Sequence, residues 1–141
     1  MLDLYAGTGA LGIEALSRGA EEAVLVERNR AALSTIRENL RRTRLSERAV
    51  VVGIDVRAFV TRDDKNGAPF DVVLIDPPYE TGGPEVEPVL ASLAAGWLAG
   101  EGWTVGLTRG RRSSTPVIPV DWAAARRLEY GDSLVLIFRE A

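Results

Sequence analysis

Five short, nearly uninterrupted apolar runs, Met1–Leu4, Ala23–Val26, Ala49–Val52, Phe70–Ile75 and Trp103–Thr108, alternate with amphipathic segments along this chain. Strands apolar on both sides are buried on both faces, and strands separated by helices pair in parallel. The alternation therefore predicts a doubly wound, Rossmann-like α/β fold with a mostly parallel sheet. Helix is expected over 11–18, with Gly19 as its C-cap, and over 30–43, where Leu33, Ile36 and Leu40 form one apolar stripe. A short helix through about Val60 and a longer one over 85–99 follow, and Asp63-Asp64-Lys65-Asn66-Gly67 carries turn chemistry. Residues 109–119 read as a loop, and 126–130 with 134–139 read as an antiparallel hairpin at one edge, joined around Gly131-Asp132. With 141 residues, 46% of them hydrophobic, the chain can close one core without staples.

Ligands of such folds bind at the carboxyl ends of the strands. Those ends read Asp3-Leu4-Tyr5, Glu27, Asp55, Asp76 and Arg109. The chain contains neither cysteine nor histidine, which removes thiolate nucleophiles, thiolate and imidazole metal sites, and the Ser-His-Asp triad. Proton handling falls to carboxylates, Lys65, tyrosines, the backbone or a cofactor, and no metal is expected. A net charge of −3 and a pI of about 5.1 do not announce a nucleic-acid binder, so local clusters decide. No apolar run approaches the roughly 20 residues that span a bilayer, and no signal pattern opens the chain. A cytoplasmic protein off the membrane is the expectation, with a monomer favoured.

Gly7-Thr8-Gly9-Ala10-Leu11-Gly12 matches G-x-G-x-x-G, and Glu27 follows Gly7 by 20 residues, the spacing of a dinucleotide fingerprint. Glycines let the backbone turn and approach a ligand, and an acid ending the second strand accepts both ribose hydroxyls. Any adenosine cofactor has these needs. Asp3 separates the cases, because a carboxylate there opposes a pyrophosphate and suits the amino-acid end of S-adenosylmethionine (SAM). SAM is the favoured reading; an NAD-type cofactor and a purely structural turn are the alternatives. Tyr5, at the same strand end, joins Asp3, Gly7, Gly9 and Glu27 in the candidate cofactor set. Asp55 either meets the adenine amino group or caps the following helix, and the two roles are compatible.

Asp76-Pro77-Pro78-Tyr79 is the most specific element. An exocyclic base amine is a poor nucleophile because its lone pair is delocalised into the ring. Hydrogen bonds from its two hydrogens to the Asp76 carboxylate and the Pro77 carbonyl direct that lone pair outward, and the prolines hold both acceptors rigid. Tyr79 offers a stacking face for a flipped base. A proline-stopped strand with a packing tyrosine is the bland alternative. Arg109, Arg111 and Arg112, together with Arg30, Arg37, Arg41 and Arg44 on the second helix, are candidates for phosphate contact, against an ordinary solvated surface.

The stretch Leu2-Asp3-Leu4-Tyr5-Ala6-Gly7-Thr8-Gly9-Ala10-Leu11-Gly12-Ile13-Glu14-Ala15-Leu16-Ser17-Arg18-Gly19-Ala20, with Val26-Glu27, Asp76-Pro77-Pro78-Tyr79-Glu80 and Tyr130-Gly131-Asp132, resembles the RsmD family of SAM-dependent, class I rRNA guanine-N2 methyltransferases. The resemblance implies that Asp3, Gly7 and Gly9 cradle the methionine part of SAM, that Glu27 holds the ribose, and that Asp55 meets the adenine. It implies that Asp76 to Tyr79 receive the N2 amine of a guanine in 16S rRNA or a small-subunit particle. Family members carry a basic helical segment ahead of the first strand, so 1–141 is expected to be one methyltransferase domain lacking that segment. DNA adenine-N6 or cytosine-N4 methylation, and a catalytically incomplete SAM- or RNA-binding module, are the alternative functions.

Overall fold

The first strand, β1 (Leu2–Leu4), is buried at every residue, Asp3 included, and its parallel neighbours β2 (Ala23–Val26) and β4 (Val72–Ile75) flank it. The computed structural model describes residues 1–65 and 67–141; Asn66 of the expected turn lies outside the described residues. β3 (Ala49–Val52) pairs with the far side of β2, and β5 (Thr104–Gly110) with the far side of β4. β6 (Trp122–Tyr130) and β7 (Ser133–Glu140) complete a seven-stranded sheet in the order β3-β2-β1-β4-β5-β7-β6. The expected class, a doubly wound and mostly parallel sheet ending in an antiparallel hairpin, is what forms.

The hairpin inserts rather than appends. Its second strand, β7, lies between β5 and β6 and runs against both, so β6 is the outer strand. Side-chain patterning explains the choice: Leu134, Leu136 and Phe138 of β7 alternate into the core, whereas β6 carries exposed Arg126, Arg127 and Glu129. Charge on an edge strand also blunts further strand addition. Both strands are longer than their apolar runs suggest, because Trp122 packs between Trp103 and Phe138 at ring separations of 5.0 and 5.8 Å and draws β6 back to its position.

Helices cover both faces. On one, α1 (Ala10–Ser17) and α2 (Arg30–Arg42) bring Leu16, Ile36 and Leu40 onto Leu25. On the other, α3 (Val56–Val60) and α4 (Gly83–Ala94) bury Phe59, Val86, Val89, Leu90 and Leu93 against Leu2, Leu4, Val73 and Ile75. Gly19, with φ of +112°, follows α1 in the left-handed conformation expected of a C-cap glycine. The arginine face of α2 is solvated, and Arg41 and Arg42 both pair with Glu38.

Three boundaries differ from the sequence reading. α4 spans Gly83–Ala94 rather than 85–99, because Trp97 turns inward, fully buried, and its Nε1 donates to the Val60 carbonyl at 2.9 Å. Phe70 forms a separate bridge with Leu98, so the β4 ladder begins at Val72. β5 continues through Gly110, which places Arg109 in a strand and not in a loop. Since Trp97 also packs on Phe59 at 4.7 Å and is 0% exposed, Trp97→Ala should cost about 3–5 kcal/mol. Urea unfolding monitored by circular dichroism measures it.

Candidate active site

Register decides which side chains meet. Leu4 is level with Val26 of β2 and Ile75 of β4, so the next residues, Tyr5, Glu27 and Asp76, leave the sheet at one height. Val26 is level with Val52 of β3, which carries the chain through Gly53-Ile54 to Asp55. These four residues, with Ala6, Gly7, Thr8, Arg28, Pro78, Thr81 and Glu85, line a cavity of about 520 Å³, within the range of small-molecule sites.

Beneath it the β1–α1 turn is locked by carboxylates. Asp3 is 1% exposed, and its Oδ2 accepts from the Gly12 N–H at 3.0 Å, while Oδ1 has no partner among the described residues. A Cβ at Gly12 would sit 2.9 Å from Leu25 and 3.2 Å from that same Oδ2, so any other residue must displace its neighbours to keep this contact. Burial pushes the Asp3 carboxyl up to about 7, the charges of Asp76 and Glu27 push the same way, and the Gly12 N–H opposes them. Glu27 accepts from the Gly7 N–H at 2.9 Å through Oε1, and from the N–H groups of Arg28 and Asn29 at 3.0 and 2.8 Å through Oε2. Gly7 itself has φ of +58° with open space where a Cβ would stand, which lets a ligand approach the backbone. Tyr5 is held at a φ of +62°, rare for a non-glycine residue, just where the chain leaves β1.

Asp55 does what its capping reading required: Oδ2 accepts from the N–H groups of Arg57 and Ala58, while Oδ1 meets Arg28 at 3.5 Å. The cavity wall carries Glu27, Asp55, Asp76 and Glu85 against Arg28 and Arg57, with Asp3 below. An adenosine cofactor bearing positive charge, such as SAM, fits this donor set; a pyrophosphate does not. Gly9 and Asp3 are not on the wall. Gly9, at φ of +84°, faces Ile36 and Leu25 and shapes the turn from within.

A second cavity, of about 380 Å³, adjoins the first and is lined by Asp76, Pro77, Pro78, Tyr79, Thr81, Thr108, Arg109, Gly110 and Ser133. Tyr79 is 66% exposed, yet its hydroxyl lies 2.9 Å from the Ser133 hydroxyl. Its ring rests over Gly110, where a Cβ would come within 3.1 Å. Partial burial raises the Asp76 carboxyl above its ordinary value. Arg109, expected in a loop, is 5% exposed on this wall. Its position at an alternating inward site of β5 explains the difference, because the register that buries Val105 and Leu107 buries Arg109 as well. Arg111 and Arg112 are exposed beyond the strand, and Arg111 meets Glu129 at 3.3 Å. The sequence reading missed Thr81, Gly110 and Ser133, which no motif marks, and Arg28, whose place beside Glu27 was the available signal. Among the described residues no cluster of acids suits a metal ion, and no helix is long and apolar enough to cross a membrane.

A sheet of this order with one antiparallel strand, a glycine turn after β1 and acids ending β1 and β2 defines a class I methyltransferase fold. The family model described as Conserved hypothetical protein 95 matches residues 1–139, and the chain belongs to this family, that of RsmD. It is 34% identical over 141 residues to Ribosomal RNA small subunit methyltransferase D of Escherichia coli (strain K12), covering 99% of this chain and 68% of that one. The solved structure of yhhF from Escherichia coli superposes with a TM-score of 0.86 at 33% identity, over 99% of this chain and 76% of that chain. The tRNA1(Val) (adenine(37)-N6)-methyltransferase of Shewanella halifaxensis is 28% identical over 85 residues, 60% of this chain and 34% of that one.

The raised Asp3 value has a consequence for stability. The folded chain keeps a proton that the unfolded chain, at 3.8, has lost, so stability falls as pH rises from about 4 to about 7 and stays lower above. Asp3→Asn removes the titration and should flatten that fall. Urea midpoints at pH 5 and pH 8 test it; parallel profiles for the two proteins would contradict the assignment.

Proposed function

We propose that this chain transfers the methyl group of SAM to the exocyclic N2 amine of a guanine in small-subunit rRNA. One observation carries the reading: Asp76, Pro78 and Thr81 belong to the walls of both cavities, so the Asp76-Pro77-Pro78-Tyr79 segment stands between a cofactor-sized site and a base-sized one. The name of the Escherichia coli relative supports rRNA as the substrate class. A single methyltransferase domain over 1–141 accounts for the site.

Bound SAM supplies an electrophilic methyl group on a sulfonium. The chain supplies the rest. Asp3, buried beneath the glycine turn, would favour the ammonium end of the cofactor through its charge rather than by contact; Glu27, fixed by three backbone N–H groups, would hold the ribose; Asp55 would meet the adenine; and Gly7 and Tyr5 shape the wall. Gly9 acts through the turn it makes rather than by contact. On the substrate side, the Asp76 carboxylate and the Pro77 carbonyl accept from the two amine hydrogens and turn the nitrogen lone pair toward the first cavity. Tyr79, pinned by Ser133 and seated on Gly110, stacks on the base, an interaction typically of about 1–3 kcal/mol. The base leaves its helix at a cost of a few kcal/mol, less in a loop or junction. Transfer would break the S–CH3 bond of SAM as the amine nitrogen takes the methyl group, leaving S-adenosylhomocysteine; the proton the nitrogen sheds would go to Asp76 or to water, and the raised Asp76 carboxyl is a better base than an ordinary one. Arg111 and Arg112, exposed beside Tyr79, meet phosphates of the RNA or of the small-subunit particle.

Adenine N6 is the second reading, favoured by the likeness to the Shewanella halifaxensis enzyme, and the same acceptors serve any exocyclic amine. Nucleoside analysis of rRNA methylated with radiolabelled SAM separates them: N2-methylguanosine supports the proposal, and N6-methyladenosine transfers it to the second reading.

Replacing Asp76 with Ala should reduce turnover about 10²–10³-fold while SAM affinity changes only a few-fold; equal loss of both would make Asp76 a cofactor or folding residue. Because Asp76 carries its charge and can take a proton only when ionised, the wild-type kcat should fall as pH drops through its raised value. A kcat indifferent to acid would contradict the role.

A further inference from the structure

Among the described residues Arg109 is the buried cation that the fold does not use. It is 5% exposed, its Nη1 is buried without a hydrogen-bond partner, and no carboxylate pairs with it. Leaving an ionised guanidinium in this condition is costly. Arg109 is also a lining residue of the second cavity, with Asp76, Pro77, Pro78 and Tyr79. The cavity therefore joins an acceptor, Asp76, to an arginine with an unpartnered Nη1, around apolar and aromatic surface.

From this arrangement we infer that Arg109 is a specificity-determining residue that selects guanine, its guanidinium donating to the O6 and N7 atoms of the flipped base whose N2 amine meets Asp76. The inference rests on the functional reading given above. Guanine is the base whose outline suits such a cavity: its N2 amine and N1–H donate on one edge, and O6 and N7 accept side by side on another, the pair that arginine binds in bidentate fashion. A phosphate is the other group a buried arginine takes, but here it would share the cavity with the Asp76 carboxylate, whereas a neutral base meets both charges with the right polarity. Adenine, with an amine at position 6, turns a donor toward the guanidinium. Nothing in Asp76 to Tyr79 alone separates the two purines, so a residue outside that motif has to. The exposed Arg111 and Arg112 stay with the phosphates.

The test is a titration of the protein loaded with S-adenosylhomocysteine, following the Arg109 side-chain N–H signal by NMR. Three probes are added: guanosine 5′-monophosphate, 2,6-diaminopurine riboside 5′-monophosphate and ribose 5-phosphate. The diaminopurine keeps the N2 amine and N7 and exchanges the O6 acceptor for an amine. The guanine nucleotide should bind about ten-fold or more tighter than either other probe and move the Arg109 signal. Arg109→Met and Arg109→Lys should both erase that preference, the lysine while keeping whatever affinity the ribose phosphate has, because an ammonium retains the charge but not the fork. Thermal midpoints and S-adenosylhomocysteine affinity, measured on each variant, show that the fold is intact. Equal affinity for the two nucleotides, or an Arg109 signal that answers to ribose 5-phosphate as strongly as to the guanine nucleotide, overturns the inference. A wild-type protein that shows the preference yet forms no N2-methylguanosine in rRNA sinks the functional reading and leaves this one standing; methylation without the preference does the reverse.

Discussion

The hydrogen bond from the Gly12 N–H to the buried Asp3 carboxylate is the contact on which the site depends. It ties the end of the central strand to the first turn of α1, where a Cβ at residue 12 would crowd Leu25 at 2.9 Å and the Asp3 oxygen at 3.2 Å. With β1 fixed, its two parallel neighbours bring Glu27 and Asp76 out at the height of Tyr5. Three strand ends at one level, two of them followed by an acid, give a floor and walls that favour a cation. The cost is an ionisable group whose charge the folded chain holds poorly, with one oxygen unpartnered. Such strain at a site, against a sheet that is otherwise conventionally packed, is the pattern expected where stability has been exchanged for binding.

The other half of the sheet does a different job. Insertion of β7 between β5 and β6 sets Ser133 beside the end of β5, within reach of the Tyr79 hydroxyl. Gly110, the last residue of β5, leaves space for the tyrosine ring. An exposed aromatic is thereby given one orientation without being buried, which leaves its free face available. Pro77 and Pro78 end β4 and keep the acceptors of this segment from joining a ladder. The two adjoining cavities thus draw on different halves of the sheet, the first on the ends of β1–β4 and the second on β4, β5 and β7, with Asp76 at the shared boundary.

Local patterns in the sequence carried the fold class, the order of helices and strands and the apolar stripe of α2, because both period and burial are written in neighbouring residues. The cluster of Tyr5, Gly7, Glu27, Asp55 and Asp76 was legible for the same reason: each lies at a strand end, and strand ends of a parallel sheet converge. What was not legible depends on contacts distant in sequence. Arg109 read as a loop residue because the glycine and arginines after it look like turn chemistry, yet pairing with Leu134 of β7 carries the strand past it. The end of α4 is set by the Nε1 of Trp97 finding the Val60 carbonyl, and the length of β6 by the packing of Trp122 between two rings. Gly9 reads in the motif like the other glycines, and its place against the side chains of Ile36 and Leu25, inside the turn, depends on contacts distant in sequence.

The central claim is that this turn makes a SAM site in which Asp3 answers the cofactor's positive end. Calorimetric titration with S-adenosylhomocysteine, which keeps the ammonium and lacks the methyl group, tests it most directly, with NAD as the control and two buffers of different ionisation enthalpy at pH 7. The account predicts that the sulfur ligand binds and NAD does not. It also predicts a heat that differs between buffers because the Asp3 carboxyl, at about 7 in the free protein, releases its proton on binding. Binding of NAD, or binding of the sulfur ligand with no proton released, would contradict it.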